Sequence, residues 1–191
     1  MVTALLLAAG ESKRTKPWLK PLLQFRGKPA IQALIDKLEK SGVDKVFVVL
    51  GHEAEQVREV IKEKRGVKVI VNENYKKGML SSVKCGIEEN PHSNFLICLV
   101  DQPLVEARTM SRMAKSHKKG SIVVPTYEGK RGHPILISQE LIGELLAFKG
   151  KTLRDFVHEH KIEEIETEDK GVIINLNTIR DYEKYANLSP G

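Results

Sequence analysis

Cysteine is scarce: Cys85 and Cys98 are the two in 191 residues, and they form no C-x-x-C pair. That excludes a disulfide-stapled scaffold and a zinc or redox site of the C-x-x-C kind, and it suits a reducing compartment. Aromatic residues make up 5% of the chain, too few for a platform on which single-stranded nucleic acid stacks. Long apolar runs are missing as well. The first, Val2–Leu7, falls far short of the roughly 20 residues that a membrane span needs, and no basic residue precedes it as in a secretory leader. Internal repeats, low-complexity stretches and linkers are absent too. The expectation is a cytoplasmic globular protein without membrane or nucleic-acid partners, with one domain over residues 1–191.

What the chain does have is positive charge in one place. Lys and Arg total 31 against 25 acids, a net charge of +6. Between Gly10 and Lys28 stand Lys13, Arg14, Lys16, Lys20, Arg26 and Lys28, opposed only by Glu11. Such a loop serves a polyanion, whether a nucleotide, a phosphorylated metabolite or nucleic acid, or is a solvated lysine-rich surface of the kind thermophilic proteins favour. A nucleic-acid binder would need a basic stripe over a whole face, and the charge here sits in one loop.

Hydrophobic patterning alternates between strand and helix. Val2–Leu7, Val43–Leu50, Val67–Val71 and Phe95–Val100 are apolar runs suited to strands buried on both faces. Helical spacing appears over 30–40, 54–64, 81–89, 106–117, 141–148, 153–160 and 179–186. Ser121–Val124, Ile162–Ile165 and Val172–Leu176 read as further strands, and Thr126–Ile137 as a strand–turn–strand excursion. This order predicts βαβ units: a three-layer α/β/α, doubly wound fold on a mostly parallel, mixed sheet.

In such sheets ligands lie beyond the carboxyl ends of the strands. The first strand runs into Ala8-Ala9-Gly10-Glu11-Ser12-Lys13-Arg14. Small residues there let backbone N–H groups approach a phosphate, and Arg14 can fork onto two phosphate oxygens. The stretch is neither a Walker loop nor a dinucleotide fingerprint, and an ordinary Gly turn remains open. The strand before Asp101-Gln102-Pro103 puts a carboxylate at its tip, placed to hold Mg²⁺ among substrate phosphates or to cap the following helix. Cys85 and Cys98 fall within helix and strand patterns and read as core thiols. Trp18 either covers the first loop or packs against it.

Together these stretches resemble the molybdenum-cofactor nucleotidyltransferases, the MobA-like NTP transferases, with their glycosyltransferase-A-like fold. Leu7-Ala8-Ala9-Gly10-x-Ser12-x-Arg14 with Lys20 and Leu22-Leu23 is similar to that family's signature loop. Asn74-Tyr75-x-x-Gly78-Met79-x-Ser81-Ser82-Val83 is similar to its second motif, and Val100-Asp101-Gln102-Pro103 to its metal motif. Gly129-Lys130-Arg131-Gly132-His133-Pro134 resembles a segment of the cytidylyltransferase branch, and Asn175-Leu176-Asn177-Thr178-Ile179-Arg180-Asp181-Tyr182 resembles the closing motif.

The resemblance implies attack by an acceptor phosphate on the α-phosphorus of CTP or another triphosphate, with pyrophosphate leaving. The implied acceptor is of the molybdopterin type, with a molybdoenzyme as a further partner. Arg14, Lys20 and Asp101 become the catalytic residues, and Asp101 the Mg²⁺ ligand. Leu7, Ala8, Ala9, Gly10 and Ser12 would line the nucleotide with Arg14 and Lys20; Gly78, Ser81 and Ser82 would complete its site. The two serines serve equally as a simple helix cap. His133 would meet substrate or simply bond to backbone.

Two departures matter. Thr15-Lys16 stands where the family has Met-Gly, which makes Lys16 a rival to Lys20, although Pro21-Leu22-Leu23 after Lys20 follows the family pattern. Asn175 and Asn177 stand where acids are frequent, leaving Asp101 as the one expected carboxylate ligand. Guanylyl transfer, sugar- or polyol-phosphate nucleotidyl transfer and a non-catalytic maturation chaperone on the same fold are the alternatives.

Overall fold

In the computed structural model, residues 1–64 and 66–186 are described. The chain runs through β1 (Val2–Ala8), the hairpin strands β2 (Gln24–Phe25) and β3 (Lys28–Pro29), α1 (Ala30–Lys40), β4 (Lys45–Leu50), α2 (Ala54–Ile61) and β5 (Val67–Val71). It continues with α3 (Met79–Glu88), β6 (Asn94–Leu99), α4 (Ala107–Lys115), β7 (Ile122–Tyr127), β8 (Lys130–Arg131) and β9 (Ile135–Ile137). The last elements are α5 (Ile142–Ala147), α6 (Leu153–His158), β10 (Ile162–Glu166) and α7 (Ile179–Ala186).

The main sheet has the order β10-β7-β9-β6-β1-β4-β5, with β8 pairing β7. β1 pairs parallel with both β4 and β6, and β4 with β5, whereas β9 runs antiparallel to β6 and β7. This is the mostly parallel mixed sheet expected. Every residue of β1 is buried because both sheet faces are covered. Strand alternation divides it: Ala4, Leu6 and Ala8 pack in a core with Ile31, Leu34, Leu38, Val57 and Met110 from α1, α2 and α4. Leu5 and Leu7 face the opposite core, with Val83, Ile87, Leu145 and Phe156 from α3, α5 and α6. A third cluster joins Phe25, Ala30 and Ala33 to Leu176 and Tyr182. It holds the β2–β3 hairpin and α7 together, at the end of the sheet where the first loop lies.

Two expectations need correction. Val172–Leu176 is not a strand. Lys170–Ile173 forms one turn of 3-10 helix, held at its start by the Asp169 carboxylate on the Gly171 N–H at 2.9 Å. Backbone groups that a strand would pair are committed elsewhere: Val172 O accepts from His133 N–H, and Leu176 N–H donates to Asp101 O at 2.7 Å. Helix α3 begins at Met79 rather than Ser81, with Gly78 as its N-cap. Gly78 sits at φ +103°, which an L side chain adopts only under strain.

Candidate functional site

The parallel strands β1 and β6 deliver their carboxyl ends side by side, and the Val100 N–H extends that pairing onto Leu7 O at 3.1 Å. Chain connections diverge here, β4 lying on one side of β1 and β6 on the other, so a crevice opens beyond the strand ends. The resulting cleft holds about 510 Å³, within the range of small-molecule sites.

Leu7, Ala8, Ala9, Gly10, Ser12, Arg14 and Lys20 all line the cleft, as do Gly78, Ser82 and Asp101. Ser81 does not line it. Its hydroxyl turns back within its own turn, onto Asn74 O at 3.0 Å and Gly78 O at 2.9 Å, and it caps no helix. The Ser82 hydroxyl accepts from the Asn72 side chain at 3.0 Å. His133 also lies outside the cleft lining, half-buried, with its N–H on Val172 O at 2.9 Å. Burial lowers its pKa below the ordinary 6.5, against the pull of the Asp101 charge. Its ring is therefore neutral at pH 7.

The first loop folds on itself. Buried Thr15 donates its hydroxyl toward Ser12 O and Trp18 O at 3.0 and 2.8 Å, and the Ser12 hydroxyl accepts from the Lys20 N–H at 2.9 Å. These contacts give Thr15 a structural purpose, turn Lys20 into the cleft and leave Lys16 exposed. Trp18 neither packs nor lines the cleft; it is 60% exposed.

Inside the cleft Lys20 Nζ lies 3.4 Å from Asp101 Oδ2 and donates to Asn177 Oδ1 at 3.0 Å. Arg14 donates to the same Asn177 oxygen at 2.5 Å. One neutral amide thus gathers two cations without cancelling either charge, so the pair remains available to an anion. The Asn177 and Thr178 N–H groups are held by the Asp181 carboxylate at 2.8 and 2.7 Å at the start of α7. Those bonds keep the Asp181 carboxyl below its usual range. Buried Tyr182 reaches Lys20 O at 3.5 Å, and burial pushes its phenol pKa up. Asp101 caps no helix: the N–H of Glu106, which precedes α4, is bonded instead by Asp169 at 2.8 Å.

Asn177 was legible as part of a motif, but its contacts with Arg14 and Lys20, across more than 150 residues, were not. Tyr75 and Met79 also line the cleft, and Gly51 fits against Tyr75 and Ala9: a Cβ there would stand 2.7 Å from Tyr75 Cβ and 2.8 Å from Ala9 O. Tyr75 and Met79 stood in the second motif without an assigned role, and Gly51 carried no signal in the sequence.

Among the described residues no group of three or more His, Cys, Asp or Glu side chains is placed to hold a metal ion, and no helix is long and apolar enough to cross a membrane. The thiol of Cys98 is buried and that of Cys85 half-buried; burial raises the pKa of both.

Comparison with known proteins gives a consistent family. The profile of the MobA-like NTP transferase domain matches residues 4–165. Nicotine blue oxidoreductase from Paenarthrobacter nicotinovorans is 33% identical over 150 residues, covering 73% of this chain and 72% of that protein. Bifunctional protein GlmU from Listeria monocytogenes is 30% identical over 174 residues, covering 86% of this chain but only 36% of that longer protein. The crystal structure of Rv0371c from Mycobacterium tuberculosis H37Rv superposes with a TM-score of 0.86 at 29% identity, covering 98% of this chain and 97% of that one. The same protein has also been solved in complex with manganese. With a profile matching most of its length and a cleft at the expected strand ends, the chain belongs to the MobA-like NTP transferase family of nucleotidyltransferases.

Proposed function

We propose that this chain transfers a nucleoside monophosphate from CTP to a phosphorylated acceptor of the molybdopterin type and releases pyrophosphate. The observation that carries the reading is the Lys20 ammonium, held between Asp101 and Asn177 at the ends of β1 and β6. Phosphoryl transfer of this kind asks for positioning and charge neutralisation rather than a protein nucleophile, and the cleft lining includes the cations Arg14 and Lys20 beside the small residues Ala8, Ala9, Gly10 and Gly78.

Arg14 binds the β- and γ-phosphates and the departing pyrophosphate through its planar fork. Lys20 sits at the α-phosphate and offsets the charge that builds there. Ala8, Ala9 and Gly10 approach base and ribose through backbone groups, with Gly78 and Ser82 completing the lining. Asp101 fits a Mg²⁺ site by its chemistry: it is a hard carboxylate in a cleft rich in phosphate-binding groups, Glu11 of the same lining being paired with Lys13 at 2.9 Å, and Mg²⁺ takes few protein ligands when phosphates supply the rest. Bound there, the ion would supply neutralisation of phosphate charge. The manganese complex of Rv0371c supports a divalent ion in a relative.

CTP is favoured over GTP because Ala9, a cleft-lining residue, stands where the guanylyl-transferring relatives that the loop resembles carry a second Gly. One methyl group discriminates by only about 1–3 kcal/mol. The Gly132-His133-Pro134 segment supports the same choice through its resemblance to cytidylyltransferases. Reaction in the cytoplasm, with a molybdoenzyme receiving the product, completes the proposal.

A second reading follows the relative named as an oxidoreductase: the cleft serves a redox reaction. Thermal shifts with CTP, GTP, ATP and reduced nicotinamide nucleotides, each with and without Mg²⁺, separate the two. The transferase reading expects the largest rise with CTP and Mg²⁺; a rise confined to nicotinamide nucleotides favours the other. Ligand at a hundredfold excess over its Kd stabilises the native state by about 2.7 kcal/mol, which such melts resolve.

A further inference from the structure

Lys37 on α1 lies outside the cleft, yet its ammonium reaches the loop that carries Asp101. Its Nζ donates to Pro103 O at 2.5 Å and to Val105 O at 2.8 Å, and stands 5.7 Å from the Phe25 ring centroid. The stretch 101–106 belongs to no helix or strand, so its carbonyls depend on such donors. Asp169 grips the far end of the same stretch, accepting from the Glu106 N–H at 2.8 Å and the Thr109 hydroxyl at 2.7 Å. Leu176 grips the near end through Asp101 O at 2.7 Å.

Burial, with Arg26 alongside, brings the Lys37 ammonium down to about 8; Asp169 and Glu106 pull the other way. The fold therefore keeps this cation against a desolvation penalty. An apolar side chain of the same length would fill the space without that penalty. What the ammonium alone supplies is a pair of charged donors to two carbonyls that follow Asp101 by two and four residues.

We propose that Lys37 is a positioning residue, whose ammonium binds the Pro103 and Val105 carbonyls and thereby sets how the Asp101 carboxylate is presented to a divalent ion in the cleft. The inference rests on the reading of Asp101 as the metal ligand. Lys37 touches neither nucleotide nor ion. It acts through the backbone of the loop, as outer-shell groups orient ligands at metal sites.

The test compares wild type with Lys37→Met, which keeps the buried stem, and Lys37→Arg, which keeps a charged donor. Mn²⁺ alone is titrated by the spin-resonance signal of the free ion, and CTP is titrated without metal. The expected result for Lys37→Met is Mn²⁺ affinity about tenfold weaker, in the range typical of outer-shell changes, with metal-free CTP affinity unchanged; Lys37→Arg restores most of the loss. Wild-type Mn²⁺ affinity in Lys37→Met, or equal losses for Mn²⁺ and metal-free CTP, overturns the proposal. If Lys37→Met does not fold, Lys37→Gln gives the same comparison. Where wild type binds Mn²⁺ only with CTP, whose phosphates supply the missing ligands, the same comparison is made on the CTP complex; where it binds Mn²⁺ in neither state, the metal reading of Asp101 fails, and amide exchange at Gln102 and Val105 decides the role of Lys37. Faster exchange there than in wild type, with the rest of the chain unchanged, supports the positioning role, and unaltered exchange ends it.

Discussion

Lys20 and Asp101 form an ion pair at 3.4 Å across the mouth of the β1–β6 crevice, with side chains 13% and 22% exposed. A pair this sheltered is screened less than one at the surface. It is also poised to separate: a triphosphate entering the cleft offers Lys20 stronger anionic partners and leaves the Asp101 carboxylate to a divalent ion. The two side chains then serve opposite charges of the same ligand.

Lys20→Ala is therefore expected to lower turnover by about 10²–10³-fold, the loss typical of removing one transition-state donor. Lys16→Ala, at an exposed position, leaves turnover near wild type. Arg14→Ala acts chiefly on binding, weakening the triphosphate by about 1.5–3 kcal/mol as charged hydrogen bonds do. Steady-state kinetics of the three variants check the order. A larger loss for Lys16→Ala than for Lys20→Ala contradicts the assignment.

The contrast between these lysines shows what a sequence discloses. Both stood in one basic loop, where Pro21-Leu22-Leu23 after Lys20 favoured it by resemblance, and the Ser12 hydroxyl on the Lys20 N–H is the physical contact that sets Lys20 apart. Helix α1 was legible to the residue because Ile31, Leu34, Ile35 and Leu38 repeat at helical spacing and Gly42 follows its end. The apolar residues Val172, Ile173 and Ile174 carry the same local signal as a strand, yet Val172 O is taken by the His133 N–H, and the Val172 and Ile174 N–H groups close back onto Asp169 O and Gly171 O. Likewise Ser81 looked like a cap, but Gly78 took that place three residues earlier. Asn177 shows the limit most clearly: an amide whose chemistry depends on cations supplied from the other end of the chain.

Asp101→Asn is expected to keep the fold, since the Leu176 bond uses the Asp101 main-chain oxygen and not its carboxylate. Turnover at low Mg²⁺ should fall by on the order of 10²-fold or more, as when a charge-stabilising group is lost. Melting without metal and activity against Mg²⁺ concentration check this. Wild-type activity at low Mg²⁺ rejects the metal role, and a large fall in metal-free stability assigns Asp101 to the scaffold.

Gly51→Ala introduces a Cβ 2.7 Å from Tyr75 Cβ and 2.8 Å from Ala9 O, both at the cleft wall. Overpacking of this kind costs about 1–3 kcal/mol, and the displaced Tyr75 should weaken nucleotide binding as well. Gly143→Ala, where a Cβ meets nothing within 4 Å, is the control. Denaturant melts and CTP titrations of both variants check it; unchanged stability and affinity in Gly51→Ala would show that the wall yields freely.

The neutral His133 ring gives a pH dependence. Its pKa is lowered from 6.5 in the folded chain, so below that pH the unfolded chain binds more protons at this site. The stability it contributes is complete above 6.5 and is lost as pH falls toward and through the lowered value. In His133→Gln the difference in unfolding free energy between pH 7.5 and pH 5 should be smaller than in wild type. Equal differences in the two proteins contradict a half-buried, neutral His133.

The most direct measurement supplies equal CTP and GTP, Mg²⁺ and molybdopterin, and follows pyrophosphate release together with the identity of the nucleotidylated product. The account predicts pyrophosphate that depends on acceptor and Mg²⁺, a product carrying mainly CMP, and loss of both in Lys20→Ala. A product carrying mainly GMP contradicts the cytidylyl assignment alone. No pyrophosphate from any triphosphate, with any phosphorylated acceptor, contradicts nucleotidyl transfer in this cleft.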